Sequence, residues 1–360
     1  MDEVSVSNSI HVYNQLQDDL SRSIFENNLL YSLTGNIEFL KKTISLSHPL
    51  VYSKCISKVK SIYERYGNDI VIYGAGYIGQ GLLCVLDDFT AFCDRDPEKQ
   101  KNGHCGYPVI SPAELQDNCT GSAIIIAVLD HLVSSEIKSS LIESGISEEH
   151  LIECLEIFPL YDDYFSRLLE EQYFDPEFIL PVISRNETFI DAGCCNLYTS
   201  KVFARHCNNE YKKIIAFEPS PKLYPICLEN SRVLRNTTVH QYALWNENKD
   251  ISFSDGGSPG SSHISSNPKS SVAKAVKLDD ELDGEEATFI KMDVEGAELN
   301  ALIGAEQTIL KYRPKLAICV YHKPEDILEI PSYILSLHDD YRLYLKHYSL
   351  WHGETVLYAV

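Results

Sequence analysis

Phe189-Ile190-Asp191-Ala192-Gly193-Cys194-Cys195-Asn196 reads as an apolar strand running into a glycine turn, and a helix containing Thr199 to Ala204 follows. At the C-terminal ends of parallel strands such a turn opens a ligand crevice. Gly193 lets the backbone approach a ligand closely. Asp191, closing the strand, can meet a cationic group. The next strand ends in Ile215-Ala216-Phe217-Glu218-Pro219-Ser220. A carboxylate there suits two ribose hydroxyls, because it accepts two hydrogen bonds at once. A 2′-phosphate would be repelled.

Outward from this turn, strands and helices alternate to the end of the chain. Strands are expected at Thr188–Asp191, Ile214–Glu218, Val239–Ala243, Phe289–Asp293, Leu316–Tyr321, Arg342–His347 and Thr355–Val360. Helices fit between them, notably Ala297 to Lys311 and Asp326 to Leu337. Only a loop separates the last two strands, so the sheet closes on an antiparallel pair with the last strand reversed. That is the arrangement of S-adenosylmethionine (SAM) methyltransferases rather than of nicotinamide dehydrogenases. The expected fold is α/β: a seven-stranded doubly wound sheet, a smaller Rossmann-like domain and an N-terminal helical segment.

A second constellation closes the fourth strand of this sheet: Ile290-Lys291-Met292-Asp293-Val294-Glu295-Gly296-Ala297-Glu298. Asp293 can orient a substrate hydroxyl, help remove its proton or hold a divalent ion. Glu295 supports it. Lys291 is a catalytic candidate or an outward salt-bridging residue, and Glu298 is either part of the site or a first-turn helix acid favoured by the dipole. His322, in Val320-Tyr321-His322-Lys323-Pro324, is a candidate base or a structural histidine.

The N-terminal half carries a separate strand–glycine-loop–helix start. Asp69 to Tyr73 is a short apolar strand, Gly74-Ala75-Gly76-Tyr77-Ile78-Gly79 follows, and Asp94 falls at the end of the next strand, Phe89 to Cys93. Ser122 to Val128 is a further strand and Glu136 to Ser144 a helix. A G-x-G-x-x-G run between strand and helix fits a nucleotide site at Gly74, Gly76, Gly79 and Asp94. Residues 10 to about 65 look helical, with Leu16, Leu20 and Ile24 at helical spacing. The expected organisation is a helical segment over 1–65, a Rossmann-like domain over 66–154, a Tyr- and acid-rich connector over 155–185, and the large α/β domain over 186–360. The helical segment must dock on a neighbour or on a second copy, which allows a homo-oligomer.

The 360 residues have a formal net charge of -21. That argues against a nucleic-acid or anionic-membrane surface, which needs clustered Lys and Arg. No apolar stretch is long enough to span a bilayer, and Met1 to Ile10 has no apolar signal region. The 11 cysteines, an odd number without a Cys-x-x-Cys pair, read as reduced, mostly buried residues of a cytosolic protein. Cys194 and Cys195 read as packing residues rather than a redox pair. Asp255 to Ser271, rich in Ser, Gly and Pro, is a long loop of the functional or disordered kind.

From Asp191 to Val360 the chain resembles the FkbM family of SAM-dependent methyltransferases. The stretches that carry the resemblance are Phe189 to Ser200, Ala216 to Pro221, Tyr242-Ala243-Leu244, Gly260-Ser261-Ser262, Leu278-Asp279-Asp280, Ile290 to Leu302 and Tyr321-His322-Lys323. The resemblance implies methyl transfer from SAM to an oxygen, commonly a hydroxyl of a sugar or natural product. It implies that Asp191, Gly193 and Glu218 touch SAM and that Asp293 sits beside the reacting groups. Cys194, Asn196, Thr199, Pro219, Ser220 and Ala243 complete the expected cofactor pocket. In one departure, Leu197 stands where the family pattern has a second glycine, and Asn196 is expected to take the left-handed conformation in its stead.

The N-terminal unit resembles Rossmann-like sugar-nucleotide or cofactor-binding domains found beside sugar-modifying enzymes, on Gly74 to Gly79, Asp94 and Gly106 to Leu115. It implies a bound nucleotide or sugar nucleotide. The expected reaction is in-line displacement at the methyl sulfonium, with Asp293 and His322 as the acting residues and the loop from Asp255 folding over a small-molecule or carbohydrate acceptor. Two alternatives stay open. One is an NAD(P)-dependent sugar-nucleotide oxidoreductase built on the Gly74 loop, although no Tyr-x-x-x-Lys pair accompanies it. The other is a non-catalytic binding protein with two nucleotide-type pockets.

Overall fold

The computed structural model describes residues 3–119, 121–158, 163–254, 263–264 and 271–360. The chain divides into two compact units. The smaller comprises residues 34–165 with 349–352, and the larger comprises 1–33, 166–348 and 353–360.

The smaller unit is built on five strands: β1 (Ile70–Tyr73), β2 (Ala91–Cys93), β3 (Val109–Ile110), β4 (Ala123–Ile126) and β5 (Leu151–Glu153). Their order is β3-β2-β1-β4-β5, parallel throughout. The runs Ile-Val-Ile-Tyr and Ala-Ile-Ile-Ile are buried at every position, as a parallel strand covered on both faces requires. β3 and β5, two and three residues long, are too short for a periodicity to reveal them. The stretch from Gly106 to Leu115 supplies β3 and then a capping box, in which Ser111 and Glu114 satisfy each other's backbone N–H groups.

The larger unit continues with β6 (Thr188–Ala192), β7 (Lys213–Phe217), β8 (Thr237–His240), β9 (Ala243–Leu244), β10 (Lys249–Ser254), β11 (His263–Ile264), β12 (Ser271–Val276), β13 (Phe289–Met292), β14 (Lys315–Cys319), β15 (Leu343–His347) and β16 (Thr355–Ala359). Seven of them form one sheet, ordered β15-β16-β14-β13-β6-β7-β8. β16 alone points opposite to the other six, so the last strand is reversed as the sequence predicts. Two expectations change. Val239–Ala243 is not one strand: the chain leaves the main sheet after His240, and Ala243 pairs with Ala275 in a small sheet ordered β11-β10-β12-β9. The single helix expected over Ala297–Lys311 is two, Glu298–Ile303 and Glu306–Tyr312. Gly304 lies between them, and a Cβ there would stand 2.0 Å from the Trp245 carbonyl oxygen.

The N-terminal helices do not form one body. Residues 1–33 belong to the larger unit, and the rest of the expected 1–65 segment to the smaller. Val12, Leu16, Ile24 and Phe25 are buried in the larger unit's core with Leu343 and Leu345. The Ser21 hydroxyl accepts a hydrogen bond from the Leu345 N–H at 2.9 Å. The helices Ile37–Ser47 and Pro49–Tyr66 are the part that packs in the smaller unit. All 11 cysteines are free thiols, eight of them buried. Among the described residues no helix is long and apolar enough to cross a membrane. The Ser- and Gly-rich stretch lies largely at 255–262 and 265–270, with Gly260-Ser261-Ser262, outside the described residues.

Candidate active site

The site is assembled at the C-terminal ends of β6, β7, β13 and β14, where parallel sheets place ligand crevices. Gly193, just past β6, has φ 73°, and a Cβ on it would stand 1.8 Å from the Asp293 carbonyl oxygen. No other residue fits while β6 and β13 stay paired. The N–H groups of Gly193 and Cys194 both donate to the Phe217 carbonyl at 3.0 Å, so the glycine turn is tied to β7. The left-handed residues that complete it are Cys195 (φ 51°) and Leu197 (φ 64°). The expectation that Asn196 would adopt this conformation is therefore corrected: its carboxamide instead accepts from the Tyr198 N–H at 2.9 Å at the start of the helix Tyr198–His206. Leu197 itself takes the strained conformation, and its side chain is fully buried with Cys194, Ala216 and Cys227.

Asp191 and Lys291 form a buried pair at 3.3 Å, with side chains 0% and 2% exposed. Asp191 also accepts from the Ser200 hydroxyl at 2.6 Å. The Lys291 ammonium donates to the carbonyls of Ala192 at 3.1 Å and Gly193 at 2.8 Å. Lys291 is thus inward rather than outward. Burial works against its charge, yet Asp191 and then Asp293 raise its pKa. With three acceptors for its three N–H groups, it holds the loop in place. Asp191 likewise braces the turn through Ser200 and Lys291.

Glu218, at the end of β7, is 5% exposed. Its two oxygens accept from the N–H groups of Cys195 at 3.0 Å and Ser220 at 2.8 Å. Burial pushes its carboxyl up to about 7, against the hydrogen bonds from Ser220 and Cys195. Ser220 is buried and its hydroxyl accepts from the N–H groups of Lys222 and Leu223. Cys194 faces the core, its sulfur 3.8 Å from that of Cys227, which is the packing role read from the sequence. Thr199, Pro219 and Ala243 are half-buried and Asn196 is exposed.

The second constellation converges on His322. Its Nε2 lies 3.5 Å from both Asp293 Oδ1 and Glu295 Oε2, and its Nδ1 lies 2.9 Å from Glu298 Oε1. Glu298 is fully buried and also accepts from the Val294 N–H at 2.8 Å. It is therefore part of the site and more than a helix-dipole acid. Burial opposes the imidazolium, but Glu298, then Asp293 and Glu295, raise His322 to about 9. When no metal is bound, the three carboxylates hold the proton on the ring at neutral pH. Asp293 is held below its ordinary value: burial opposes this, and Lys291, His322 and the Tyr173 hydroxyl outweigh it. Glu295, left-handed at φ 55°, is pushed up to about 7 by burial and then by the charge of Asp293. Donor atoms of Asp293, Glu298 and His322 lie within 4.8 Å of one another, a set able to hold a divalent ion.

Three residues of this site carry no signal in the sequence. Tyr173, from the connector, donates its hydroxyl to Asp293 at 2.8 Å, and its ring lies 5.1 Å from the Lys291 ammonium. Gln172 donates its carboxamide N–H to Glu354. Glu354, left-handed at φ 66° between β15 and β16, is pushed up to about 7 by burial and then by Asp293.

Residues 191–349 match the family model of the methyltransferase FkbM domain. No curated protein matches the chain. Among solved structures, the methyltransferase FkbM from Methylobacillus flagellatus KT is 19% identical and covers 90% of this chain and 100% of its own, with a TM-score of 0.48. An rRNA methylase from Streptococcus thermophilus is 13% identical, covering 50% and 89%, with a TM-score of 0.33. Aeropyrum pernix fibrillarin in complex with natively bound S-adenosyl-L-methionine is 12% identical, covering 49% and 69%, with a TM-score of 0.30. Over residues 191–349 the chain carries a methyltransferase FkbM domain.

Proposed function

We propose that the larger unit transfers a methyl group from SAM to a hydroxyl of a small-molecule or carbohydrate acceptor. The observation that supports this most directly is the meeting of Asp293 and Glu295 on His322, each carboxylate 3.5 Å from its Nε2, beside the Gly193 turn and Glu218. The residues fit SAM. Each oxygen of Glu218 accepts a single backbone N–H, so lone pairs remain for two ribose hydroxyls. SAM is cationic, and the edge is anionic: Asp293, Glu295, Glu298 and Glu354 are balanced only in part by His322, since Lys291 is matched by Asp191.

The cofactor, when bound, supplies an electrophilic methyl group. The chain must then align a hydroxyl and take its proton. Asp293, ionised and fixed by Tyr173, accepts the acceptor's O–H hydrogen bond and orients it. Glu295, whose carboxyl titrates near neutrality, receives the proton. His322 stays charged and holds both carboxylates in place. Neither an anionic polymer nor an anionic membrane suits a chain of net charge -21, which favours a neutral, hydroxyl-rich acceptor.

The test is transfer of labelled methyl from SAM to a panel of glycosides and polyhydroxylated small molecules. Glu295→Gln is expected to lower turnover by about 10²–10⁴-fold while S-adenosylhomocysteine still binds. Full turnover in that variant contradicts the role of Glu295, and absence of transfer to every member of the panel contradicts the acceptor class.

A further inference from the structure

The smaller unit has a crevice that the methyltransferase reading leaves unused. In the order β3-β2-β1-β4-β5, the chain steps outward from β1 through β2 to β3 and then crosses back to β4 on the other side of β1. The gap outside the C-terminal ends of β1 and β4 is the topological switch point, where doubly wound sheets bind ligands. A cavity of about 360 Å³ lies there, walled by Tyr73 and Gly74 at the end of β1, Asp94 past β2, Val128 past β4, and Val133 and Ile137 of the helix His131–Glu143. That volume lies in the range of small-molecule sites.

The three glycines of the loop differ in what the fold asks of them. Gly74 has φ 112°, and a Cβ on Gly79 would stand 2.0 Å from the Gly74 carbonyl oxygen. Those two are needed to make the turn and to pack it. Gly76 is not: its φ is -112°, which any residue adopts, and a Cβ on it would meet nothing within 4 Å. The space in front of it is open for something from outside the chain. Asp94 organises the same loop, its Oδ2 accepting from the Ala75 N–H at 2.9 Å and from Lys99 at 3.3 Å, and its Oδ1 from the Asp96 N–H at 3.0 Å. The ammonium of Lys99 is taken up by the loop itself, 2.8 Å from the Ala75 carbonyl and 3.3 Å from Asp94, whereas Arg95 lines the cavity and supplies the cation that phosphate oxygens would need. Val133, 43% exposed, and Ile137 give the cavity an apolar patch suited to a base, flanked by Glu136 and Ser140 of the same helix.

We infer that this crevice binds a nucleotide, with its base against Val133 and Ile137, a ribose hydroxyl on Asp94, and its phosphates passing over Gly76 toward Arg95. The remaining lone pair of Asp94 suits a free ribose hydroxyl and repels a 2′-phosphate. The site is independent of the one at Glu218.

The experiment is calorimetric titration of the full chain with ADP and with UDP, one purine and one pyrimidine probe, in wild type, Gly76→Val, Asp94→Asn and Glu218→Ala. Melting temperatures establish that each variant is folded. Micromolar binding of at least one probe is expected in wild type. It should weaken by about tenfold or more in Gly76→Val and Asp94→Asn and stay unchanged in Glu218→Ala. If Gly76→Val does not fold, Gly76→Ala takes its place, since an added Cβ there touches nothing. The inference is overturned if neither probe binds wild type, if both loop variants bind as wild type does, or if only Glu218→Ala loses binding, which would put the nucleotide in the methyltransferase crevice.

Discussion

Leu197 illustrates how opposing terms are weighed at a single residue. A left-handed conformation costs an L-residue about 1–2 kcal/mol, which argues for the glycine of the family pattern. Against this, the side chain is 0% exposed and packs with Cys194, Ala216 and Cys227, and emptying such a position costs about 2–5 kcal/mol. Burial wins. Leu197→Gly is therefore expected to destabilise the protein by about 2 kcal/mol, read from denaturant unfolding. A stabilised variant would show that strain, and not packing, dominates the turn. At this scale the sequence locates residues better than it assigns their partners. Asp191 and Lys291 were legible as strand-end charges, but their mutual burial depends on β6 and β13 being neighbours, and no local pattern encodes that pairing. Tyr173 and Glu354 were illegible for the same reason, since they reach Asp293 and His322 from segments distant in sequence.

Elements with long buried runs were the ones the sequence made plain. The five inner strands of the main sheet, β16, β14, β13, β6 and β7, were expected near their observed places, because strands covered on both faces are continuously apolar. Short elements were not. β3 and β5 are too brief to show a period, and the small sheet of β9 to β12 is set by pairing across a distant segment. The break between the helices Glu298–Ile303 and Glu306–Tyr312 was missed because Gly304 reads as a tolerated helix glycine. Its cause is tertiary: the Trp245 carbonyl occupies the place of a side chain. Gly304→Ala, neutral or stabilising in an isolated helix by about 1 kcal/mol, is here expected to destabilise, with a lowered melting temperature as the readout. A raised melting temperature would mean that the two helices can merge.

The whole molecule registers its active site as a dependence of stability on pH. His322 is raised from 6.5 to about 9. The folded protein therefore keeps a proton that the unfolded chain has lost in that interval. The stability this contributes is complete below pH 6.5 and disappears as pH rises through about 9. Below pH 6.5 the raised carboxyls of Glu218, Glu295 and Glu354 act in the same direction, but they are opposed by His104, His206, His240 and His352, whose lowered values favour the unfolded state in acid. In the same direction as His322 act the carboxyls near 7 and, above about pH 8, the thiols that burial raises, such as Cys84, Cys93 and Cys207. The readout for His322 is therefore the difference between chelator-treated wild type and His322→Gln, which is expected to shrink by about 2 kcal/mol from pH 7 to 9.5. An equally steep loss in that variant would contradict the assignment. The two-unit plan was readable from the two glycine loops, but the division of the N-terminal helices between the units was not. Amphipathic spacing shows that a helix needs a neighbour without showing which one.

The central claim is that the Gly193 turn and Glu218 hold SAM. The most direct measurement is a calorimetric titration of S-adenosylhomocysteine into the wild-type chain and into Glu218→Ala. Micromolar binding to wild type, weakened by about tenfold or more in the variant, is the result predicted. No binding to wild type, or equal affinity in both, would contradict it.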